Sequence, residues 1–197
     1  MSDTATAILT AAKRLFAKGG PEAVTVRATA MAVGVTPMAI YRHYPGTSGL
    51  LDAITKDGLF AWERRVAKLK AAPPKDWIED LAAAYLDFAL EAPRSFEAAF
   101  LLPAQGARRY PDDFANDRSP AGTVVLAKVK EAITAGTLGG ARPLDIALAL
   151  WASAHGLIVL YRSGRFALDE AAFRALYIDA VGRALTSYVP KAGRKTR

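Results

Sequence analysis

Two short helical segments between residues 25 and 46 constrain the fold of this 197-residue chain more than any other feature. The first, VRATAMAV, starts after Thr25, a favourable N-cap residue, and ends at Gly34, which suits the left-handed position that closes a helix. The second, MAIYRHY, follows Thr36-Pro37 as cap and first helical residue, and Pro45-Gly46 ends it. Helices of barely two turns are unstable alone, so both must pack on the helices that precede and follow them.

Helical periodicity also dominates the rest of the sequence. In the first helix, Ile8, Ala12, Leu15 and Phe16 form an apolar stripe, which Gly19-Gly20-Pro21 ends. No stretch sustains an alternation of β-branched and polar residues, so the sequence predicts an all-α fold of about nine helices. The later helices are expected at 47–70, 76–92, 94–102, 119–136, 143–164 and 169–188, with an irregular segment at 103–118.

Charge and composition narrow the classes of function. The net charge of +7 is uneven, because residues 1–70 carry ten Lys/Arg against five Asp/Glu and residues 190–197 add four more cations. A basic N-terminal region is typical of a surface that binds a polyanion, although an ordinary solvated surface gives the same count. The chain has no cysteine and its two histidines lie far apart in sequence, so we expect no disulfide, no metal site and no cofactor.

The lengths of the apolar segments indicate where in the cell the protein is expected. No uninterrupted apolar run reaches the roughly 20 residues of a membrane span, and the first residues lack the basic-then-apolar pattern of a signal peptide. We therefore expect a cytoplasmic protein without a membrane partner.

A helix, a glycine-containing turn and a short second helix form the arrangement that places a recognition helix in the DNA major groove. A longer pattern surrounds it: AxxLF at 12–16, GxxxxTVR at 20–27, AxxxGVT at 30–36, IYRHY at 40–44 and the Leu50-Leu51 pair. In order, spacing and residue type, residues 8–54 resemble the N-terminal domain of TetR/AcrR transcriptional regulators. The resemblance implies a three-helix helix-turn-helix domain at 1–52, joined through helix 47–70 to a helical regulatory and dimerisation domain at 53–189. Residues 190–197 are expected to be a basic, disordered tail.

The resemblance also implies which residues contact DNA. The first turn of the recognition helix, 36–43, offers apolar groups that can touch thymine methyls. Arg27 is placed to reach either a base edge, where it can bond guanine bidentately, or a phosphate. Tyr41 and His43 match phosphate-contacting positions, and Arg42 can reach backbone or base. The predicted DNA contacts are Thr25, Arg27, Thr36, Pro37, Met38, Ala39, Tyr41, Arg42, His43 and Thr47.

Three positions need separate interpretation. We interpret Tyr41 as a DNA contact rather than a core residue, and Tyr44, where the family usually has Phe, as a core residue. The family usually carries Lys at the position of Thr47, at the start of the fourth helix. A hydroxyl and the N–H groups of a helix N-terminus bind phosphate more weakly than Lys does, so we expect weaker DNA binding with unchanged geometry.

A second motif lies in the C-terminal half. Trp151-x-x-x-His155-Gly156 resembles the WHG signature of one TetR/AcrR subgroup, and apolar residues around it recur at spacings of four and three, as in a coiled-coil seam. In the family the last two helices pair with those of a second copy, which implies a homodimer whose recognition helices reach half-sites roughly 34–36 Å apart. The predicted interface residues are Leu148, Trp151, Ile158, Arg162, Phe173, Tyr177, Ala180, Ala184 and Tyr188.

The C-terminal half also has a surplus of large apolar residues. The resemblance implies that some of them enclose a small, largely apolar effector, whose binding would move the fourth helix and release DNA through a coupling of about 1–3 kcal/mol. His155 is open to three interpretations: a core or interface histidine, a ligand contact, or a catalytic group. The predicted ligand-binding residues are Trp62, Tyr85, Phe88, Phe96, Phe100, Trp151 and His155.

The sequence thus predicts a ligand-responsive transcriptional regulator, expected to repress, that binds a palindromic double-stranded operator as a homodimer and is not an enzyme. An enzyme that uses His155 with a carboxylate is the first alternative, but the sequence contains no GxSxG, P-loop, paired-His or dinucleotide motif. The second alternative is a basic helical protein whose N-terminal domain binds a membrane or a protein partner.

Overall fold

The computed structural model describes residues 3–102, 109–116 and 118–190. These residues contain ten α-helices, a 3₁₀ turn at Pro21–Ala23 and no strand, which confirms the predicted all-α fold. The tail predicted at 190–197 lies outside the described residues except for Pro190. The helices are α1 Asp3–Gly19, α2 Val26–Val33, α3 Pro37–Tyr41, α4 Gly46–Val66, α5 Pro74–Glu91, α6 Pro93–Phe100, α7 Asp112–Ala115, α8 Pro120–Thr134, α9 Pro143–Arg162 and α10 Glu170–Thr186.

The recognition helix is shorter than expected, since α3 ends at Tyr41 rather than at His43. The N–H groups of His43 and Tyr44 both donate to the Ile40 carbonyl at 2.9 Å, a pattern that closes a turn instead of continuing the helix. Tyr44 also precedes Pro45, and the residue before a proline is restricted away from the helical backbone. The predicted helix 36–43 is therefore one helical turn followed by a tight turn.

Two further boundaries differ from the expectation. α4 ends at Val66 instead of residue 70, because the Lys68 N–H donates to Arg65 and the Leu69 N–H to Val66, at 3.1 Å each, in turns tighter than an α-helix. One helix was not predicted: α7 lies within the segment expected to be irregular. It has four residues, too few to show any helical periodicity in a sequence.

The caps around α2 and α3 follow the sequence in part. The Thr25 hydroxyl accepts a hydrogen bond from the Ala28 N–H at 3.0 Å, and Gly34 has a left-handed φ of 76°, so α2 begins and ends as predicted. Thr36 occupies the N-cap position of α3, but its side chain makes no capping bond. Pro37 has no N–H to offer, and the Ala39 N–H donates to the Thr36 carbonyl instead.

Contacts between Cα atoms divide the described residues into two compact units. The N-terminal unit runs to Arg64 and includes residues 91–102, and the C-terminal unit contains residues 65–90 and those from 109 onward. α1 to α3, most of α4, and α6 therefore form one unit. α7 to α10 and nearly all of α5 form the other.

The core of the N-terminal unit lies behind the two short helices. Ile8 and Phe16 of α1, Ile40 of α3, and Leu50 and Ile54 of α4 are buried together there. Two residues of the α6 region, Ala98 and Leu102, belong to the same cluster. α2 and α3 are thus held by burial against longer helices, as their length requires.

α4 and α6 approach each other closely at Gly58. A Cβ atom at this position would lie 2.8 Å from the Ser95 carbonyl oxygen and 2.9 Å from the Ala99 nitrogen, both backbone atoms of α6. Only a residue without a side chain allows this separation, so Gly58 fixes how α6 packs within the unit.

The C-terminal unit is a helical bundle with a core of large residues. Ile146 and Ile158 of α9 and Phe173, Tyr177 and Leu185 of α10 are almost completely buried. The Tyr177 hydroxyl donates to the Ala82 carbonyl of α5 at 3.0 Å, and the Arg174 guanidinium forms a 2.6 Å ion pair with Asp87. These polar contacts attach α10 to α5.

α9 is the one described helix that is long and apolar enough to cross a membrane, with a mean hydropathy of 1.6 over its most apolar window. It carries Asp145, His155 and Arg162, and it packs against α8 and α10. Arg162 also donates to the Ala89 carbonyl at 3.0 Å. α9 is therefore one helix of the C-terminal bundle with a single buried face, and its length and composition alone do not indicate a membrane span.

Candidate nucleic-acid interface and effector site

α2 and α3 present a set of exposed side chains on the N-terminal unit. Met38 and Tyr41 of α3 keep 66% and 57% of their surface exposed, and Arg42 and His43 directly after them are exposed as well. Two large apolar side chains with an arginine and a histidine within six positions form a patch rather than an isolated exposed residue. Among the other predicted DNA contacts, those exposed are Thr25, Arg27, Thr36 and Pro37, while Ala39 and Thr47 are half-buried.

The exposed side of α3 is rigidly supported from behind. Ile40 is completely buried, and Tyr44 is buried with its hydroxyl donating to the Ala5 carbonyl of α1 at 2.9 Å. Burial raises the pKa of the Tyr44 hydroxyl, so it remains a donor. Tyr44 is therefore a core residue, as interpreted from the sequence, and its hydrogen bond fixes the end of the recognition segment on α1.

The start of α4 adds backbone N–H groups near this patch in sequence. α4 begins at Gly46, whose φ of 73° is left-handed, and the Ser48 hydroxyl donates to the Pro45 carbonyl at 3.2 Å. Thr47 stays partly exposed next to it. The first N–H groups of a helix generally attract anions, so phosphate remains the expected partner of this terminus in the absence of a Lys.

Sequence reasoning misses Met31. It is the most exposed large apolar side chain of the described residues and lies one turn after Arg27 on α2. The spacing of four in VRATAMAV is the signal that places both residues on one face of the helix. Met31 therefore belongs to the surface that α2 presents beside Arg27.

A polar chain runs through the aromatic residues of the C-terminal unit. The Trp151 indole N–H donates to the Tyr85 hydroxyl at 3.2 Å, and that hydroxyl lies 2.9 Å from Nδ1 of His155. An indole can only donate, so the hydroxyl that accepts from it has its own proton available for Nδ1. In this arrangement the Tyr85 hydroxyl can donate to a neutral His155 whose ring proton is on Nε2, and burial favours the neutral form by lowering the pKa of His155.

Phe114 of α7 completes this aromatic group. Its ring lies 5.7 Å from the Trp151 ring, and the Trp151 ring lies 5.9 Å from that of His155. On its other side Phe114 packs on α8, where a Cβ at Gly122 would lie 2.8 Å from the Phe114 ring. We call Tyr85, Phe114, Trp151 and His155 the aromatic cluster; sequence reasoning finds three of its members and misses Phe114.

The remaining predicted ligand-binding residues lie elsewhere. Trp62, Phe96 and Phe100 belong to the N-terminal unit, where the Phe100 ring contacts Trp62 at 6.2 Å and Phe96 at 5.3 Å. Phe88 lies in the core of the C-terminal unit, with the Arg65 guanidinium 5.7 Å from its ring. The structure thus brings together Tyr85, Trp151 and His155 within the C-terminal unit, whereas Trp62, Phe96 and Phe100 belong to the other unit.

The predicted interface residues divide in a similar way. Ile158, Phe173 and Tyr177 are completely buried within their own chain, so they have no surface to offer a second copy. The periodicity correctly places Phe173 and Tyr177 on one face of α10, but that face packs on α9 and α5. The predicted residues that keep partial exposure are Leu148, Trp151, Arg162, Ala180, Ala184 and Tyr188.

The opposite faces of α9 and α10 are apolar and exposed, and they consist largely of small residues. A Cβ at Gly156 or at Gly182 would meet no atom within 4 Å, so no contact within the described chain requires either glycine. We define the outer face as the residues at spacings of three and four around them: Leu148, Ala152, Gly156 and Leu160 of α9, and Ala171, Ala175, Ile178 and Gly182 of α10.

Comparison with protein families decides the identity. The family described as "Bacterial regulatory proteins, tetR family" matches residues 8–54, and the one described as "Tetracyclin repressor-like, C-terminal domain" matches residues 78–183, more than half of the chain. The chain belongs to the TetR family. The resemblance noted in residues 8–54 is thereby confirmed, and the family extends through the bundle formed by α5 and α8 to α10.

Solved structures share the fold of this TetR-family chain. A regulatory protein of the tetR family from Rhodococcus RHA1 is 23% identical, with 98% and 100% of the two chains covered and a TM-score of 0.66. A protein of unknown function from Rhodococcus sp. RHA1 is 22% identical, covers 96% and 97%, and has a TM-score of 0.77. The SmeT-triclosan complex is 21% identical, covers 97% and 94%, and has a TM-score of 0.61. No curated relative matches the chain.

Membership in the TetR family settles the broad class of function. The protein is a DNA-binding regulator of transcription and not an enzyme, as the sequence predicts. His155 therefore has a structural or ligand-related role, and the catalytic interpretation is discarded.

Proposed function

We propose that this TetR-family regulator is a cytoplasmic, ligand-responsive repressor. It binds a palindromic operator as a homodimer through the recognition segment 36–43, and a small, largely apolar effector in the C-terminal domain releases it. The observation that carries the DNA-binding part is the exposed patch of Met38, Tyr41, Arg42 and His43 over a fully buried Ile40. We retain the division into a DNA-binding domain at 1–52 and a regulatory domain at 53–189 as part of this proposal.

Each exposed residue has a role that its chemistry supports. Arg27 can bond guanine O6 and N7 bidentately, and the Met38 side chain can touch thymine methyls. Tyr41 and His43 suit phosphate contacts, which fix the position of the segment on DNA without reading sequence. Since Thr47 supplies no cation, these contacts carry a larger share of the binding than they would beside a Lys.

The outer face supports the homodimer. Mid-helix glycine costs about 1 kcal/mol relative to alanine, and two helices in this unit each carry one where no intrachain contact requires it. Close approach of a second copy accounts for both glycines, because α9 and α10 of one copy can pack with α9 and α10 of the other as a four-helix bundle. The proposed interface retains Leu148, which the sequence also predicts. It replaces the buried Ile158, Phe173 and Tyr177 with residues on the opposite side of α9 and α10.

Two observations support an effector. The aromatic cluster places polar groups inside an apolar surrounding, which is the usual composition of a small-molecule site. In addition, the similar SmeT structure contains triclosan, a small aromatic molecule. A coupling of about 1–3 kcal/mol between effector and operator would be enough to release DNA.

A gel-shift titration on DNA that flanks this gene tests the proposal. Palindrome-containing fragments are compared with a scrambled fragment at several salt concentrations, for the wild type, Arg27→Ala, Tyr41→Ala and Lys130→Ala. The variant dimer loses one bidentate base contact in each half-site, at about 1–3 kcal/mol each, so Arg27→Ala should weaken specific binding by at least about 30-fold. Lys130, exposed on α8 of the C-terminal unit, is the charge-matched control and should change little.

The outcomes separate the alternatives. Specific binding that falls with Arg27→Ala and Tyr41→Ala but not with Lys130→Ala supports the proposal. If every fragment binds equally at low salt and the three variants behave alike, the patch is an ordinary basic surface and the operator-binding part fails. Transcript levels of the neighbouring genes in a strain without this gene then distinguish repression from activation.

A further inference from the structure

We propose that Met31 and Met38 form an oxidation site on the DNA-binding face, and that conversion of their thioethers to sulfoxides by a peroxide releases the operator. The modification is reversible, because methionine sulfoxide reductases return the side chain to the thioether. This inference rests on the proposed function, since it assigns a form of regulation to the same DNA-binding surface.

The sulfur atoms of this chain are distributed unevenly. The chain has no cysteine and three methionines, of which the two internal ones are Met31 and Met38. Met31 is 79% exposed and Met38 is 66% exposed, the two largest values among the exposed large apolar side chains of the described residues. The buried core of those residues contains no methionine. An oxidant that reacts with methionine therefore meets both internal thioethers on the surface of the N-terminal unit and leaves the packing of the core unchanged.

Both methionines lie beside residues proposed to contact DNA. Met31 follows Arg27 by one turn of α2, so these two side chains share a face of the helix. Met38 is the second residue of α3 and precedes Tyr41 by three positions, in the first turn of the recognition segment. The completely buried Ile40 fixes α3 on the core, while Met38 stays exposed to solvent. Under the proposed function, a bound operator covers both thioethers.

The reaction consumes one peroxide for each methionine. A sulfur lone pair attacks one peroxide oxygen, the O–O bond breaks, and an S–O bond forms. With hydrogen peroxide, the second oxygen leaves as hydroxide and takes the proton from the new S–OH group, which yields a sulfoxide and water. The sulfur is thereby oxidised by two electrons, and the peroxide is reduced by two.

A sulfoxide and a thioether interact differently with a base edge. The thioether is soft and apolar and can touch thymine methyls, whereas the sulfoxide is polar and carries a hydrogen-bond acceptor. Against a thymine methyl this acceptor loses its hydration without meeting a donor. Oxidation adds no net charge and removes no cation, so the contacts with phosphate remain. We therefore expect weaker sequence-specific binding with an unchanged dependence on salt.

Fluorescence anisotropy with an operator fragment, before and after treatment of the full chain with hydrogen peroxide, tests the inference. Catalase removes the peroxide before each titration, and peptide mass spectrometry locates the sulfoxides. The variants are Met31→Leu, Met38→Leu and the double variant, and each is compared with its own untreated form. The matched control adds Val124→Met to the double variant, which places an exposed methionine on α8 instead. Circular dichroism and urea denaturation establish that each treated chain is folded.

We expect oxidation to weaken operator binding by the wild type at least about tenfold, because an unpaired acceptor is buried in each of two half-sites. The slope of log affinity against log salt should stay the same. Met38→Leu should lose most of this sensitivity to peroxide, and the double variant should lose all of it, with or without Val124→Met. Methionine sulfoxide reductases for the two sulfoxide epimers, supplied with a thiol, should restore binding. Saturating operator should slow sulfoxide formation at both positions.

Three results would overturn the inference. The first is a wild type that carries both sulfoxides and binds the operator as before. The second is a double variant that loses as much affinity on treatment as the wild type. The third is oxidation of the methionine added on α8 under conditions that leave Met31 and Met38 of the wild type unmodified.

The untreated wild type distinguishes this inference from the function on which it rests. If it binds no operator fragment specifically, the repressor proposal fails, and the oxidation switch fails with it. If it binds an operator specifically and the oxidised form binds equally well, the repressor proposal stands and the oxidation switch is wrong.

Discussion

The exposed sides of α3 and α10 differ in chemistry, although both helices lie over the core of their own unit. α3 presents the large side chains of Met38 and Tyr41, and the cationic Arg42 directly follows them. α10 presents Ala175 and Gly182 around Ile178. Long polar side chains can reach phosphates and base edges in a groove, whereas small apolar ones let another helix approach closely. The size and charge of the exposed residues therefore support the partners proposed above, DNA for one face and a second copy of the chain for the other.

The largest expected effect comes from placing a charge on the small, apolar face. Ile178 is 44% exposed, so Ile178→Glu should leave a single chain folded, but an unpaired carboxylate buried between two copies is costly. We expect the dimer dissociation constant, measured by sedimentation equilibrium, to rise by about 100-fold or more, with loss of operator binding at the same protein concentration.

Val124 provides the matched control for this substitution. It is an exposed apolar residue with 42% of its surface accessible, but it lies on α8, away from the outer face as defined. Val124→Glu should leave the dimer intact. If Ile178→Glu remains dimeric, or if both variants dissociate equally, the two copies do not associate through the outer face of α10.

The second prediction concerns two glycines that differ in their surroundings. At Gly58 a methyl group would collide with the backbone of α6, and such overpacking costs about 1–3 kcal/mol, so Gly58→Ala should lower the free energy of unfolding by that amount. At Gly156 a methyl meets no atom within 4 Å of its own chain. In the Ile178→Glu background, where no second copy covers α9, Gly156→Ala should raise the free energy of unfolding by up to about 1 kcal/mol.

Urea denaturation followed by circular dichroism measures both changes. Equal losses at the two positions would contradict the contrast between a packed and an open glycine. In the wild-type background Gly156→Ala sharpens the comparison further, because the same methyl should then weaken dimerisation if another helix packs against α9 at this point.

The features predicted correctly from sequence depend on neighbouring residues. The cap at Thr25 and the left-handed Gly34 are set within three or four positions, and α2 begins and ends there. Thr36 is the N-cap residue of α3 as predicted, but its carbonyl, rather than its hydroxyl, accepts the Ala39 N–H. Local patterns therefore locate an element more reliably than they identify the atoms that make its hydrogen bonds.

Features that depend on distant residues are harder to predict. α10 is apolar on two sides, so periodicity identifies Phe173 and Tyr177 as one face without showing whether that face meets its own chain or another. Phe114 is missed because a four-residue helix has no periodicity, and its partners Gly122 and Trp151 come from other helices. The positions of these residues are fixed by tertiary packing, which a single sequence shows only through a family resemblance.

The third prediction adds a cation to the DNA-binding face. Thr47 is partly exposed at the start of α4, so Thr47→Lys should fold normally and supply the phosphate contact that the family usually has. We expect the slope of log affinity against log salt to become more negative by about 0.9 for each added phosphate contact, with tighter binding at low salt. Fluorescence anisotropy with an operator fragment measures the slope. Thr47→Val is the control, and an equal slope for Lys and Val would show that this terminus does not meet phosphate.

The smallest expected effect is a pH dependence that originates in the aromatic cluster. Burial lowers the pKa of His155 below its ordinary value of 6.5, so the unfolded chain binds a proton at this residue before the folded chain does. His155 therefore contributes stability that is present above pH 6.5 and is lost as the pH falls from there towards the folded-state pKa. His155→Asn should reduce the pH dependence of the free energy of unfolding in that window. Tyr85→Phe, which removes the hydroxyl bonded to Nδ1, should reduce it less, because burial of the ring remains.

Since carboxylates elsewhere also titrate at lower pH, the informative quantity is the difference between wild type and variant at each pH, measured by urea denaturation. A difference that does not change with pH would mean that the imidazole titrates equally in the folded and unfolded chains, and the neutral polar chain through Tyr85 would then be contradicted.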